Sequence, residues 1–210
     1  RDVQEMEGRM TAHDSAFDSP VADDDDAAFQ AHVAHLKGLR ETYGDVHEAE
    51  AVKAARRFGA VLASHDDTTA GQVAVSARHG ISLAEFPTTV EAAQACHTNG
   101  IKVMMGAPNL IRGGSHSGNV AAQDLAEAGL CDALASDYHY PSPARAAWRC
   151  VELGLLDDCA AWRLVSAGPA RGLGLEDRGV LEAGRRADLV VMEPETRRIV
   201  ATIASENTLD

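Results

Sequence analysis

The 210 residues suffice for one buried core, or for one domain with an appendage. Apolar residues make up 45% and charged residues 24%, an ordinary balance for a globular chain, and no run is long and apolar enough for a membrane span. The formal net charge of −13, with no basic cluster larger than a pair such as Arg185-Arg186 or Arg197-Arg198, argues against non-specific nucleic-acid binding.

Residues Arg1 to Asp26 are polar and irregular, and nothing in them reads as a signal peptide. Their run Asp23-Asp24-Asp25-Asp26 reads as a solvated helix start, favoured by the positive end of the helix dipole, or as an acidic metal site. Phe29, Val33, Leu36 and Leu39 recur at helical spacing and predict a helix closing near Gly44. A second helix is predicted from Val46 to Phe58, stopped by Gly59.

Ala60-Val61-Leu62-Ala63 then runs into Ser64-His65-Asp66-Asp67-Thr68-Thr69. The apolar run is short and holds β-branched Val61, which predicts a buried strand with polar residues just beyond it and a helix to Gly80. The pattern recurs downstream. Ile81 to Ala84 ends on Glu85-Phe86-Pro87-Thr88-Thr89, Ile101 to Met105 on Gly106-Ala107-Pro108-Asn109, and Asp132 to Ser136 on Asp137-Tyr138-His139. Thr88 or Thr89 caps the second following helix, and Gly100 ends it. Later helices are predicted from Asn119 to Ala128, from Ser142-Pro143 to Gly154, and from Asp157 or Asp158 to Gly168-Pro169.

Past Pro169 the texture changes. Ala187 to Met192 and Arg198 to Ile203 predict short strands joined by Glu193-Pro194-Glu195-Thr196, so a small β appendage is expected from about Gly174. Cys96, Cys131, Cys150 and Cys159 form no C-x-x-C pair, which predicts reduced thiols and a cytoplasmic protein.

Four βα units are too few to close an eight-stranded barrel. They make either a small open sheet or the back half of a (βα)8 barrel. In a barrel, His65, Glu85, Asn109 and Asp137 would converge on one rim, where such folds keep their chemistry. Imidazole with carboxylates suits a divalent cation such as zinc or manganese, held by His65, Glu85 and Asp137. Asp137 could also take a proton from an attacking water. Each has a structural alternative: a bystander beside an N-capping Asp or Thr cluster for His65, a cap or turn for Asp137, a hydrogen bond to Thr88-Thr89 for Glu85.

The stretch from Gly106 to Asn119 is long for a βα loop. Asn109, Arg112, Gly113, Gly114, Ser115, Ser117 and Asn119 could bind an anion there. Arg112 would make a bidentate contact, and the backbone of a helix opening near Asn119 would add N–H groups. His116 could protonate a leaving phosphate oxygen. The alternative is a flexible glycine loop. The order Gly-Gly-Ser-His-Ser-Gly-Asn fits neither a Walker A loop nor a dinucleotide fingerprint.

Four blocks together, Ala63 to Thr69, Ala84 to Thr89, Met104 to Asn119 and Ser136 to Tyr138, resemble one branch of the amidohydrolase superfamily. The stretch Arg178 to Val191 is similar to the end of amidohydrolases in general. The resemblance implies a metal-dependent (βα)8 barrel, with this chain as its carboxyl-terminal portion. Residues 1–173 would lie in the barrel and 174–210 in a small β domain. It implies a phosphorylated-sugar partner: hydrolysis of a ribose 5-triphosphate to the 5-phosphate and pyrophosphate during phosphonate breakdown. A homo-oligomer is compatible with such a barrel. His65 matches the metal histidine after the fifth strand and Asp137 the aspartate after the eighth. Glu85 stands where many relatives carry a sixth-strand histidine. The first-strand metal motif is missing, and Thr11-Ala12-His13-Asp14 is a weak match to it. His139-Tyr140-Pro141-Ser142-Pro143, after Tyr138, also departs from the family. Two further readings stay open: hydrolysis of a cyclic amide or deamination of a ring, and a non-catalytic half-barrel that needs another chain.

Overall fold

Four short parallel strands position everything that follows. They are β1 (Ala63–His65), β2 (Leu83–Glu85), β3 (Lys102–Gly106) and β4 (Ala133–Ala135), side by side in that order. His65 is in register with Glu85, Glu85 with Met104, and Gly106 with Ala135. The computed structural model describes residues 26–115 and 118–204, and its contacts divide the chain into two compact units, residues 1–54 and 55–210.

A helix follows each strand: α2 (Ala70–His79), α3 (Val90–Thr98), α4 (Ala107–Arg112) with α5 (Ala122–Glu127), and α6 (Ser142–Glu152). Thr69 caps α2 in a capping box with Gln72, and the Thr89 side chain accepts from Ala92 to cap α3. Alternate strand residues Ala84, Val103, Met105 and Leu134 join Val73, Cys96, Leu110, Leu125 and Cys150 in one core between sheet and helices. The other parity carries His65, Glu85, Met104 and Ala135. Of these, Glu85, Met104 and Ala135 are half-buried.

Two small helices, α7 (Asp158–Arg163) and α8 (Ala167–Gly172), replace the single predicted helix, so Gly168 and Pro169 lie inside α8. Proline is tolerated in a first turn because its missing N–H has no partner to lose there. A Cβ at Gly168 would stand 2.0 Å from the Asp132 carbonyl oxygen, so only glycine lets α8 approach the sheet. The Leu134 N–H donates to the Leu164 oxygen at 2.8 Å, which partly covers the β4 edge. Beyond α8, β5 (Leu189–Glu193) and β6 (Arg198–Ile203) form the antiparallel hairpin expected of the appendage.

Other expectations shift. The two predicted helices before β1 are one, α1 (Asp26–Phe58), and Gly44 does not break it. The Arg40 side chain lies over Gly44 and reaches the Glu48 carboxylate at 3.3 Å, bridging the weak point. β1 begins later than predicted and is an exposed edge, with Val61 47% accessible. His65 and Glu85 close their strands rather than follow them, because Asp66 and Phe86 still donate across the sheet. Ser142 does not cap α6; its buried hydroxyl donates to the His139 oxygen at 2.5 Å. His13, His116, Ser117 and the predicted acidic helix start at Asp23-Asp24-Asp25 lie outside the described residues. The four cysteines are unpaired, and burial pushes the Cys131 thiol up to about 12.

Candidate functional site

Three residues just past strand ends have left-handed backbones: Asp66 (φ 59°), Phe86 (φ 55°) and Asp137 (φ 50°). Each carries a Cβ that this conformation disfavours, a strain of order 1–3 kcal/mol that persists only where the surroundings impose it. Here they do. The Asp66 N–H donates to the Glu85 oxygen at 3.0 Å, and the Phe86 N–H to the Met104 oxygen at 2.9 Å. The following loops are tied together as well. The Thr88 hydroxyl meets that of Thr68 at 2.8 Å, and the Thr88 N–H donates to the Asp67 oxygen at 2.9 Å. Val120, from the third loop, donates to the Thr88 oxygen at 2.9 Å.

This stitched rim surrounds a pocket of about 290 Å³ at the carboxyl ends of the strands. His65, Asp66 and Asp137 bring an imidazole and two carboxylates, and Asn109, Arg112, Ser115 and Asn119 line it from the third loop. Phe86, Pro87, Met105, Pro108 and Val120 supply apolar wall. Of the residues picked from sequence, Glu85, Gly113 and Gly114 do not line it. Gly113 instead ends α4 with φ 83°. Asp66, Phe86 and Tyr138 line the pocket without having been singled out. Asp66 had a signal, its place beside His65; the swing of Phe86 into the pocket had none.

The loop itself differs from expectation. Residues 107–112 are helix α4, so Asn109 and Arg112 stand on a rigid element. The next helix begins at Ala122, not Asn119. Asn109 Oδ1 accepts its first N–H, from Ala122, at 3.0 Å. One of the backbone N–H groups at this helix start is therefore already used.

His65 Nδ1 lies 2.9 Å from Asp66 Oδ2, which leaves Nε2 as the nitrogen for a ligand. The His65 ring meets Phe86 edge-on, centroids 5.4 Å apart. A Cβ at Gly106 would meet Phe86 Cε1 at 3.7 Å and Asp137 Oδ2 at 3.9 Å, so ring and carboxylate flank the same point on the pocket floor. The donor chemistry of His65 and Asp137 suits a divalent cation. However, no three His, Cys, Asp or Glu residues gather closely enough to hold one among the described residues. Among the described residues, donors are present without closing a metal centre.

The opposite end of the sheet is a structural cluster. Asp132 Oδ2 lies 2.8 Å from His97 Nε2 and accepts the Val103 N–H at 2.9 Å, while Oδ1 accepts from Lys102 at 2.9 Å. Burial disfavours this carboxylate, but the Val103 N–H, Lys102 and His97 outweigh it and hold its pKa below the ordinary range.

The chain matches the model of the amidohydrolase family over residues 14–210. It is 42% identical over 181 residues to the alpha-D-ribose 1-methylphosphonate 5-triphosphate diphosphatase of Escherichia coli (strain K12), covering 83% of this chain and 47% of that protein. The chain thus spans about half the length of this curated relative. Among solved structures, an uncharacterized protein gives a TM-score of 0.51 at 21% identity, over 68% of this chain and 41% of that one. An uncharacterized metal-dependent hydrolase from Pyrococcus furiosus gives 0.50 at 17% identity, over 67% and 35%. These likenesses concern the fold: an α/β architecture whose parallel sheet is part of a (βα)8 barrel. No helix among the described residues is long and apolar enough to cross a membrane. With a family match over nearly its whole length and a parallel sheet whose strand ends meet at one pocket, the chain belongs to the amidohydrolase family.

Proposed function

We infer that the chain carries the catalytic rim of a hydrolase that splits a phosphoanhydride. The substrate class is a ribosyl 5-triphosphate, as in the name of the Escherichia coli relative, released as 5-phosphate and pyrophosphate in phosphonate catabolism. The observation that carries this reading is the gathering of His65, Asp137, Arg112 and Ser115 around one pocket at the strand ends. The relative's name supports it.

Charge balance favours a divalent cation at this site. Among the described lining residues Arg112 is the one guanidinium, set against the carboxylates of Asp66 and Asp137. A triphosphate would be repelled without added positive charge. Zinc or manganese, with His65 and Asp137 as donors and Glu85 next to His65 in register, would supply that charge and make water more acidic.

The chain's own groups have separable tasks. Asp66 fixes the His65 ring through Nδ1. Arg112 holds phosphate oxygens, with Ser115 and Asn119 as hydrogen-bond partners. Asp137 accepts the proton of the attacking water. The water oxygen joins the phosphorus next to the sugar, and the bridging oxygen leaves with pyrophosphate, which His116 protonates. The partner is a small phosphorylated sugar and the setting cytoplasmic.

Pyrophosphate release from a ribosyl 5-triphosphate, assayed on the full chain with zinc or manganese added, tests the reading. Metal-dependent release is expected. Absence of release with every divalent metal tried overturns it.

A further inference from the structure

We propose that Phe86 determines which substrate the pocket accepts, by forming the flat wall against which the C–H face of a five-carbon sugar lies. This rests on the hydrolase reading above and adds the sugar contact to it. Strand register places Glu85 beside His65, but the pocket wall at that point is the ring of Phe86. The left-handed turn at Phe86 (φ 55°) makes the exchange. A bulky side chain in that conformation is strained and needs a reason to be there.

The ring is held from both sides. The Phe86 N–H donates to the Met104 oxygen at 2.9 Å, Pro87 is fully buried, and the Thr88 N–H donates to the Asp67 oxygen at 2.9 Å. The ring edge contacts the His65 imidazole, centroids 5.4 Å apart, and Cε1 lies over Gly106 beside the Asp137 carboxylate. An aromatic ring gives nothing to a phosphate, which seeks N–H groups and cations. It does suit a molecule with one apolar face and a polar edge. A sugar carrying phosphate toward Arg112 is such a molecule.

The test is steady-state pyrophosphate release from a ribosyl 5-triphosphate, with inorganic tripolyphosphate as competitive inhibitor. The full chain is compared with Phe86→Leu, which keeps an apolar side chain but loses the ring, and with Phe86→Tyr. Leucine is expected to raise KM about three- to tenfold and leave the tripolyphosphate inhibition constant unchanged, with tyrosine restoring KM. An unchanged KM, or an equal rise in both constants, overturns the proposal. If the unaltered chain releases no pyrophosphate, the hydrolase reading fails, and the sugar wall is judged by binding alone. By proton NMR on the unaltered chain, ribose 5-phosphate should shift the Phe86 ring signals and inorganic phosphate should not. Ring signals that stay in place with ribose 5-phosphate, or move equally with phosphate, overturn it.

Discussion

The carboxylate of Asp137 leans over the backbone of Gly106, its Oδ2 3.9 Å from where a Cβ there would stand, with Phe86 Cε1 3.7 Å from the same point. A single methyl group fits at that spacing, and a branched side chain does not. Gly106→Ala is therefore expected to fold with a change in stability below about 1 kcal/mol and to keep most pyrophosphate release. Gly106→Val should push ring and carboxylate apart and lower kcat/KM by about tenfold or more. Thermal melts and steady-state assays on both variants check this, and equal activity would show that the floor is not shared as described.

Arg112 stands at the end of α4 on the lining of a pocket that also holds two carboxylates. Arg112→Ala should raise KM for a ribosyl triphosphate by about 10- to 100-fold, the loss of one charge-assisted bidentate contact. Hydrolysis of a neutral cyclic amide, or deamination of a ring, should hardly change. Assaying both substrate classes on the variant decides between a triphosphatase and the amide or deaminase reading.

Asn109 separates a capping role from a binding role. Its Oδ1 accepts the Ala122 N–H, and aspartate can do the same. Asn109→Asp should melt within a degree or two of the parent, while Asn109→Ala loses about 1 kcal/mol. If aspartate also preserves KM, the side chain serves helix α5. If KM rises with Asp while the melting temperature holds, it touches the phosphates.

How much of this was legible in the residue order follows from what each feature depends on. The βα rhythm was plain, because short apolar runs ending in polar residues repeat from Ala63 to Asp137. His65 and Asp137 stood out as polar residues where apolar runs end, and Arg112 as the one arginine in the stretch from Gly106 to Asn119. Phe86 could not be read. Its place in the pocket depends on one left-handed φ, and Phe-Pro normally signals an extended backbone. Helix α4 was hidden for a similar reason, since Gly106, Pro108 and Gly113 look like loop residues until they turn out to begin and end one short helix. The merging of the two predicted helices into α1 depended on Arg40 folding over Gly44, a side-chain contact with no trace in hydrophobic periodicity.

At the other end of the sheet, Asp132 predicts an acid-sensitive fold. Its pKa is held below the ordinary 3.8 in the folded chain, so its stabilisation is complete above that value and is lost as pH falls through the folded pKa. Asp132→Asn should cost about 1–3 kcal/mol at pH 7, and the gap between variant and parent should shrink below about pH 4. Urea unfolding of both proteins from pH 7 to pH 3 measures it. A constant gap across that range would mean the carboxylate charge is not what matters.

The left-handed residues Asp66, Phe86 and Asp137 set a limit on how far this chain can be improved. At each position glycine would relax the backbone, so selection for heat resistance alone would favour it. Glycine there would also delete a group that gives the cleft its character. Variants hardened at these positions should be blunt catalysts, and breeding toward robustness has to be directed away from the mouth of the sheet.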